Sequence, residues 1–112
     1  MKLVFVCTAN VFRSVIAAGL CRKFLEDQEL DRDITVDSAG IGDTSGNRRP
    51  PLILRGFLAE LGIDVAEHRS KRLTEAAIGT ADLIIPMTRR RERKILATFQ
   101  SAEGKITSAA QL

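Results

Sequence analysis

The 112-residue sequence has no tryptophan, no tyrosine and only five phenylalanines. Its core must therefore be aliphatic, and nucleic-acid binding through aromatic stacking is disfavoured. Two cysteines are too few for a disulfide framework and lack the spacing of a zinc site. No apolar run approaches the ~20 residues of a membrane-spanning helix, and the apolar run near the N-terminus is too short for a secretory signal. We therefore expect a cytoplasmic protein.

The rest of the composition is typical of a globular protein. Hydrophobic residues make up 45% of the chain and charged residues 28%, which argues against disorder. A net charge of +3 is too small to favour a nucleic-acid partner. A chain of this length can bury one core without disulfides, so we expect residues 1–112 to form a single domain.

Short apolar segments alternate with segments of helical periodicity. Residues 3–7 form a continuous apolar run, which is typical of a strand buried on both faces. Further strands are predicted at residues 34–38, 82–86 and 105–107, and the intervening helices are predicted to start near Ser14, Pro51 and Thr88. This alternation predicts an α/β fold, a three-layer sandwich with a four-stranded, mostly parallel sheet.

The apolar residues of two predicted helices indicate which faces should be buried. In the first helix, residues spaced by four form a stripe that their neighbours widen, and the stripe comprises Ile16, Leu20 and Phe24 with Ala17, Cys21 and Leu25. In the second helix the corresponding residues are Leu54, Phe57, Leu58 and Leu61. Both stripes are expected to face the core.

The loop between the first strand and the first helix carries the most informative motif. It reads Cys7-Thr8-Ala9-Asn10-Val11-Phe12-Arg13-Ser14. The loop follows the carboxyl end of a strand, where α/β proteins bind ligands. Its backbone amides, ahead of a helix N-terminus, can form a cradle for an anion. The motif therefore predicts a phosphate-binding loop.

Individual side chains of this loop suit nucleophilic chemistry on a phosphate. The helix dipole favours the thiolate form of Cys7, which is the nucleophile. Arg13 offers a planar fork for phosphate oxygens, Ser14 can donate a hydrogen bond to the thiolate, and Asn10 tolerates the left-handed backbone that such a loop needs. The alternative is a buried thiol at a strand end and a solvated arginine, because the pattern is short.

Several segments together make the sequence similar to the low-molecular-weight protein tyrosine phosphatase family. The matching segments are residues 4–17, 37–40, 61–64, 68–69 and 81–87, in the family's order. The resemblance implies that Cys7 attacks phosphorus, that Arg13 and the amides from Thr8 to Arg13 hold the phosphoryl group, and that Ser14 supports the thiolate. It further implies that Asn10 and Ser38 brace the loop, with no metal or other cofactor involved.

The sequence departs from the family pattern at several positions. Ala9 replaces a glycine, Phe12 a second cysteine, Val15 a proline and Thr88 an aspartate. The family's general acid, an Asp followed by Pro, has no counterpart, so we expect a domain that is incomplete at its C-terminus and slow with poor leaving groups. Asp43, in the loop after the second strand, is the candidate substitute, and an ordinary turn residue is the alternative.

A run of basic residues follows the third predicted strand, at the same sheet edge as Cys7. It comprises Arg89, Arg90, Arg91, Arg93 and Lys94. Cations oppose the dipole at a helix N-terminus, so Arg89 and Arg90 are candidates to face an anionic substrate. The alternative is a solvated helix face. The only histidine, His68, is expected to be structural rather than a catalytic base.

These observations favour a metal-free phosphate-monoester phosphatase that acts through a phosphocysteine at Cys7. A phosphotyrosine protein is the expected substrate, because Val11 resembles the phosphotyrosine branch of the family, and a small phosphate ester is the other candidate. The alternative function is a non-catalytic phosphate-binding module. An arsenate reductase is less favoured, because residues 79–99 contain no further cysteine.

Overall fold

A parallel sheet with the strand order β2-β1-β3 forms the centre of the computed structural model, which describes residues 1–42 and 47–107. The strands are β1 (Lys2–Cys7), β2 (Thr35–Gly40) and β3 (Leu83–Pro86). The helices are α1 (Arg13–Asp27), α2 (Leu52–Glu60), α3 (Glu75–Thr80) and α4 (Arg89–Thr98), and a short 3-10 helix follows at Gln100–Ala102. Each of β2 and β3 pairs with β1 in parallel.

The side chains of β1 alternate between two apolar layers, as the pleat of a strand requires. Val4 and Val6 pack with Ile78 of α3 and Ile95 of α4 on one face of the sheet. Phe5 packs with Ala18 of α1 on the other face. A further cluster joins α1 to α2 and the segment after it through Val15, Leu54, Leu58, Ile63 and Val65. Helices on both faces confirm the expected three-layer α/β sandwich.

The described sheet contains three strands, whereas the sequence predicted four. Residues 105–107 contribute one isolated parallel bridge, between Ile84 and Ile106. The amide of Ile84 donates to the carbonyl of Lys105 at 2.8 Å, and the amide of Thr107 donates to the carbonyl of Ile84 at 3.0 Å. Within residues 1–42 and 47–107, the predicted fourth strand is a single paired residue at the β3 edge, joined to the sheet by these two bonds.

The predicted stripe of α1 is buried only in part: Leu25 is buried, and Ile16, Ala17 and Cys21 are partly buried against the core. Leu20 and Phe24 are 48% and 60% exposed, whereas Ala18 is fully buried and Gly19 lies against Ile63. A β-carbon on Gly19 would lie 2.9 Å from Cγ2 of Ile63, so the helix approaches its neighbours through small residues. Hydrophobic periodicity overlooks such a face because its residues are small.

In α2, Leu54 and Leu58 are buried as expected, but Phe57 and Leu61 are exposed.

Within residues 1–42 and 47–107, none of the helices has the length and apolar character needed to cross a membrane.

Candidate active site

The predicted loop joins β1 to α1 at the carboxyl edge of the sheet, and the segment after β2 holds its first residues. The amide of Ile41 donates to the carbonyl of Cys7 at 3.0 Å, and the amide of Gly42 donates to the carbonyl of Thr8 at 2.8 Å. A β-carbon on Gly42 would lie 2.6 Å from Cγ2 of Thr8. This close approach therefore requires a glycine.

The sulfur of Cys7 receives two hydrogen-bonding groups from its own loop and helix. The amide of Asn10 donates to Sγ at 3.3 Å, and the hydroxyl oxygen of Ser14 lies 3.0 Å from it. Ser14 is the second residue of α1 and is fully buried. Both groups stabilise negative charge on the sulfur, since hydrogen bonds to a charged acceptor are stronger than those between neutral groups.

Asn10 connects this sulfur to a distant part of the chain. The amide of Lys71 donates to Oδ1 of Asn10 at 3.0 Å, and Nδ2 of Asn10 donates to the hydroxyl oxygen of Ser14 at 2.8 Å. Because Ser14 accepts this bond, its own hydrogen is free to point at Sγ of Cys7. Nε2 of His68 lies 2.9 Å from the carbonyl oxygen of Asn10, which can only accept, so Nε2 carries the proton.

Asn10 is also conformationally unusual. It is fully buried and has a φ of 60°, in the left-handed region. Asparagine adopts this conformation more readily than most residues with a side chain. One residue thus supplies both the backbone turn of the loop and the side chain that connects Lys71 to Ser14.

We predict that Asn10→Ala lowers the free energy of unfolding by ~1–3 kcal/mol, because the variant loses a buried side chain and its hydrogen bonds to Lys71 and Ser14. Asn10→Gly is the matched control. It removes the same side chain but accepts the positive φ without strain, so it should be less destabilising than the alanine variant. Urea unfolding of both variants measures the effect. A change below ~0.5 kcal/mol in both, the range of an ordinary surface substitution, would contradict this role for Asn10.

A cavity of about 250 Å³ opens above the loop. Cys7 and residues of the loop form one wall, Arg13 is exposed beside them, and Met87, Thr88 and Arg91 form the opposite wall. Within the described residues, the amides of Ala9, Val11, Phe12 and Arg13 have no acceptor. Free amides at a helix N-terminus, next to a guanidinium, suit a phosphoryl group.

An ion pair holds the segment that carries Lys71. The ammonium of Lys71 bonds to the carboxylate of Asp37 in β2. Burial raises the pKa of Asp37, but the hydrogen bond from Lys71, the amide of Ser38 and nearby positive charge outweigh it, so this pKa lies below its usual 3.8. Because the folded-state pKa is the lower one, the pair stabilises the fold above about pH 4, and this contribution is lost as the pH falls through the folded-state pKa.

The structure brings some of the predicted site residues together and separates others. Cys7, the loop, Arg13 and Ser14 meet as expected. Ser38 is buried in β2, but the described contacts show no hydrogen bond between it and Asn10, so its bracing role stays a prediction. Asp43 lies outside the described residues. Arg89 and Arg90 are exposed on α4 and line no wall of this cavity.

Sequence reasoning missed three contributors to the site. The amide of Lys71 and the ring of His68 hold Asn10, and Arg91 lines the cavity. A backbone amide leaves no trace in side-chain patterns, so Lys71 carried no signal. Arg91 belongs to the basic run. Its partial burial distinguishes it from the exposed Arg90 and Arg93, and burial cannot be read from the sequence.

Comparison with known proteins agrees with this geometry. Residues 2–111 match the family model "Low molecular weight phosphotyrosine protein phosphatase". The chain belongs to this family. A probable low molecular weight protein-tyrosine-phosphatase EpsP of Ralstonia solanacearum is 36% identical over 104 residues, which are 93% of this chain and 67% of that protein.

A relative and a solved structure, both from Bacillus subtilis, extend the comparison. A protein-arginine-phosphatase is 30% identical over 95% of this chain and 68% of its own length. A crystal structure of a YwlE mutant has a TM-score of 0.88 and 31% identity, with 96% of this chain and 70% of that chain covered. The chain thus spans about two thirds of these relatives. They confirm the expected family, fold and enzyme class, a phosphatase-type hydrolase with a cysteine nucleophile.

Proposed function

We propose that this phosphatase-family chain hydrolyses phosphate monoesters through a phosphocysteine at Cys7. The observation that carries the proposal is the position of Sγ of Cys7, which lines a cavity bordered by free amides and by Arg13 and receives hydrogen bonds from Asn10 and Ser14. A nucleophile, an anion cradle and a thiolate-stabilising pair thus lie at one place. Together the three suit nucleophilic attack of a thiolate on a phosphoryl group.

The reaction has two balanced steps. In the first, the thiolate of Cys7 attacks phosphorus, an S–P bond forms, the P–O ester bond breaks and the leaving oxygen takes a proton. In the second, water attacks the phosphocysteine, the S–P bond breaks, and inorganic phosphate and the thiolate are released. Arg13 and the amides of the loop bind the phosphoryl oxygens in both steps, where negative charge is largest. Ser14 holds the thiolate between turnovers.

The proton for the leaving group has no donor on the described walls of the cavity, which contain no carboxylate and no histidine. A general acid typically contributes ~10²–10⁴-fold to the rate. We therefore expect rapid turnover of substrates whose leaving group departs as an anion, and slow turnover of alkyl phosphates. Asp43 stays the candidate donor, because it follows Gly42, which touches the loop.

Hydrolysis of p-nitrophenyl phosphate, phenyl phosphate and an alkyl phosphate tests the proposal. We predict that kcat falls in that order, by ~10²-fold or more from the first to the last, because general-acid assistance is weak. If Asp43 is the acid, Asp43→Asn slows phenyl phosphate and spares the nitrophenyl ester. A protein that turns over none of these substrates, but whose Tm rises with inorganic phosphate, would be a phosphate-binding module instead.

The native substrate is proposed to be a phosphotyrosine protein. The cavity wall includes Val11 and the side chain of Phe12, which is 50% exposed and can pack against an aromatic ring. Relatives are protein-tyrosine phosphatases and protein-arginine phosphatases, so phosphoarginine is the substrate to compare. A reducing compartment such as the cytoplasm is proposed because catalysis needs Cys7 as a free thiolate.

A further inference from the structure

A second cavity, of about 280 Å³, adjoins the first. The two share Thr8 and Arg91 as a common wall. The second cavity is otherwise lined by Arg90 and Lys94 of α4 and by Ile41 and Gly42 after β2. It therefore lies directly beside the cradle of Cys7 and Arg13, on the side of the basic run.

The charged side chains in the described lining of this second cavity are all cationic. Three cationic side chains line it, and within the described residues none of them forms an ion pair, since the pair that is present joins Lys71 to Asp37. The hydroxyl of Thr8 is buried in the shared wall and has no partner among the described residues. Among the described residues, the lining has three cations and no carboxylate, which suits an anion.

Helix stability does not explain these cations. They lie in the first two turns of α4, where positive charge opposes the helix dipole. The helix is already capped, because the amide of Arg91 donates to the hydroxyl oxygen of Thr88 at 3.2 Å. Removing Arg90 would therefore relieve charge repulsion at the helix start without uncapping it. A ligand accounts for this placement better than the fold does.

We propose that the second cavity binds the carboxylate of an acidic residue that neighbours the phosphorylated residue in a peptide substrate. This inference rests on the proposed function and refines its substrate class. Because the two cavities share a wall at Thr8 and Arg91, the second cavity is within reach of a side chain that neighbours the phosphorylated residue in an extended peptide. Arg91, which borders both cavities, contacts both anions, and Arg90 and Lys94 contact the carboxylate.

Two phosphotyrosyl peptides that differ only in Glu or Gln on both sides of the phosphotyrosine test this subsite. We expect the wild type to prefer the Glu peptide by ~3- to 10-fold in kcat/KM, as a few partly exposed charge pairs allow. Raising the salt concentration should lower the preference, because partly exposed charges are screened. The double variant Arg90→Gln/Lys94→Gln should bring the ratio close to one.

Arg93→Gln is the matched control for charge. Arg93 is exposed on the same helix and lines neither cavity, so its removal should leave the ratio as in the wild type. If Arg93→Gln lowers the Glu/Gln ratio of kcat/KM as much per charge removed as the double variant does, the preference arises from the overall positive charge of the protein and not from the second cavity. That result would overturn the subsite.

The outcomes also separate this inference from the proposed function. Equal kcat/KM for the two peptides in the wild type overturns the subsite and leaves the phosphatase intact. Absence of turnover, including that of p-nitrophenyl phosphate, overturns the proposed function. In that case the dissociation constants of the same two peptides for the Cys7→Ser chain decide about the subsite, and equal values overturn it.

Discussion

Replacement of Cys7 by serine is expected to lower kcat for p-nitrophenyl phosphate by ~10³-fold or more, as the loss of a catalytic nucleophile does. Serine is nearly isosteric, so its hydroxyl keeps the contacts of the loop with Asn10 and Ser14. At neutral pH, however, a hydroxyl without an adjacent base is a far weaker nucleophile than a thiolate. The variant should therefore fold and bind phosphate, but not turn over.

Cys21→Ser is the control for the first prediction. Cys21 lies half-buried on α1 and does not line the cavity. Burial raises the pKa of its thiol, against the opposing charge of Arg22, so it is protonated and unreactive near neutral pH. The control should retain kcat, and inorganic phosphate should raise the Tm of both variants. Loss of activity in Cys21→Ser, or its retention in Cys7→Ser, would contradict the assignment of the nucleophile.

Arg13→Ala is expected to lower kcat/KM by ~10²–10³-fold, which is the effect of removing one preorganised donor to a developing charge. Arg13 is exposed at the edge of the cavity and is the first residue of α1. Its guanidinium can donate two parallel hydrogen bonds to the phosphoryl oxygens. The effect should appear in kcat as well as in KM, because charge on these oxygens changes during the transfer.

Arg13→Lys separates geometry from charge. Lysine keeps the positive charge but lacks the planar fork, so most of the loss should remain. Arg93→Ala, an exposed change on α4 away from this cavity, should leave kcat/KM for p-nitrophenyl phosphate as in the wild type. Full activity of Arg13→Lys would show that charge alone is used, and full activity of Arg13→Ala would remove Arg13 from the mechanism.

The elements of the fold were largely predictable from local patterns. The apolar run of β1 and its abrupt end at Cys7 are contiguous in sequence, and so are the loop and Ser14, the second residue of α1. The contacts of Cys7 with Asn10 and Ser14 span three and seven residues. A short motif contains all the atoms for such contacts, so it could be recognised without knowledge of the fold.

The packing of the helices was less predictable. Leu20 and Phe24 were expected inside, but α1 turns Ala18 and Gly19 towards its neighbours. Burial of a helix face depends on how closely the helix can approach, and small residues permit the closest approach. An average over hydrophobicity ranks these small residues below leucine and phenylalanine, and it therefore places the centre of the buried face incorrectly.

The sequence by itself determined the chemistry of the site, because nucleophile, cradle and arginine all belong to one continuous segment. The tertiary structure decided what holds and borders that segment. Lys71 and His68 reach Asn10 from 61 and 58 residues away, and Arg91 closes the cavity from α4. Arg91 meets the loop because parallel strands bring the segments that follow them to one edge of the sheet. Lys71 and His68 lie instead on the segment after α2, which an isolated bridge to Gly40 joins to the end of β2. No spacing within the chain encodes that meeting.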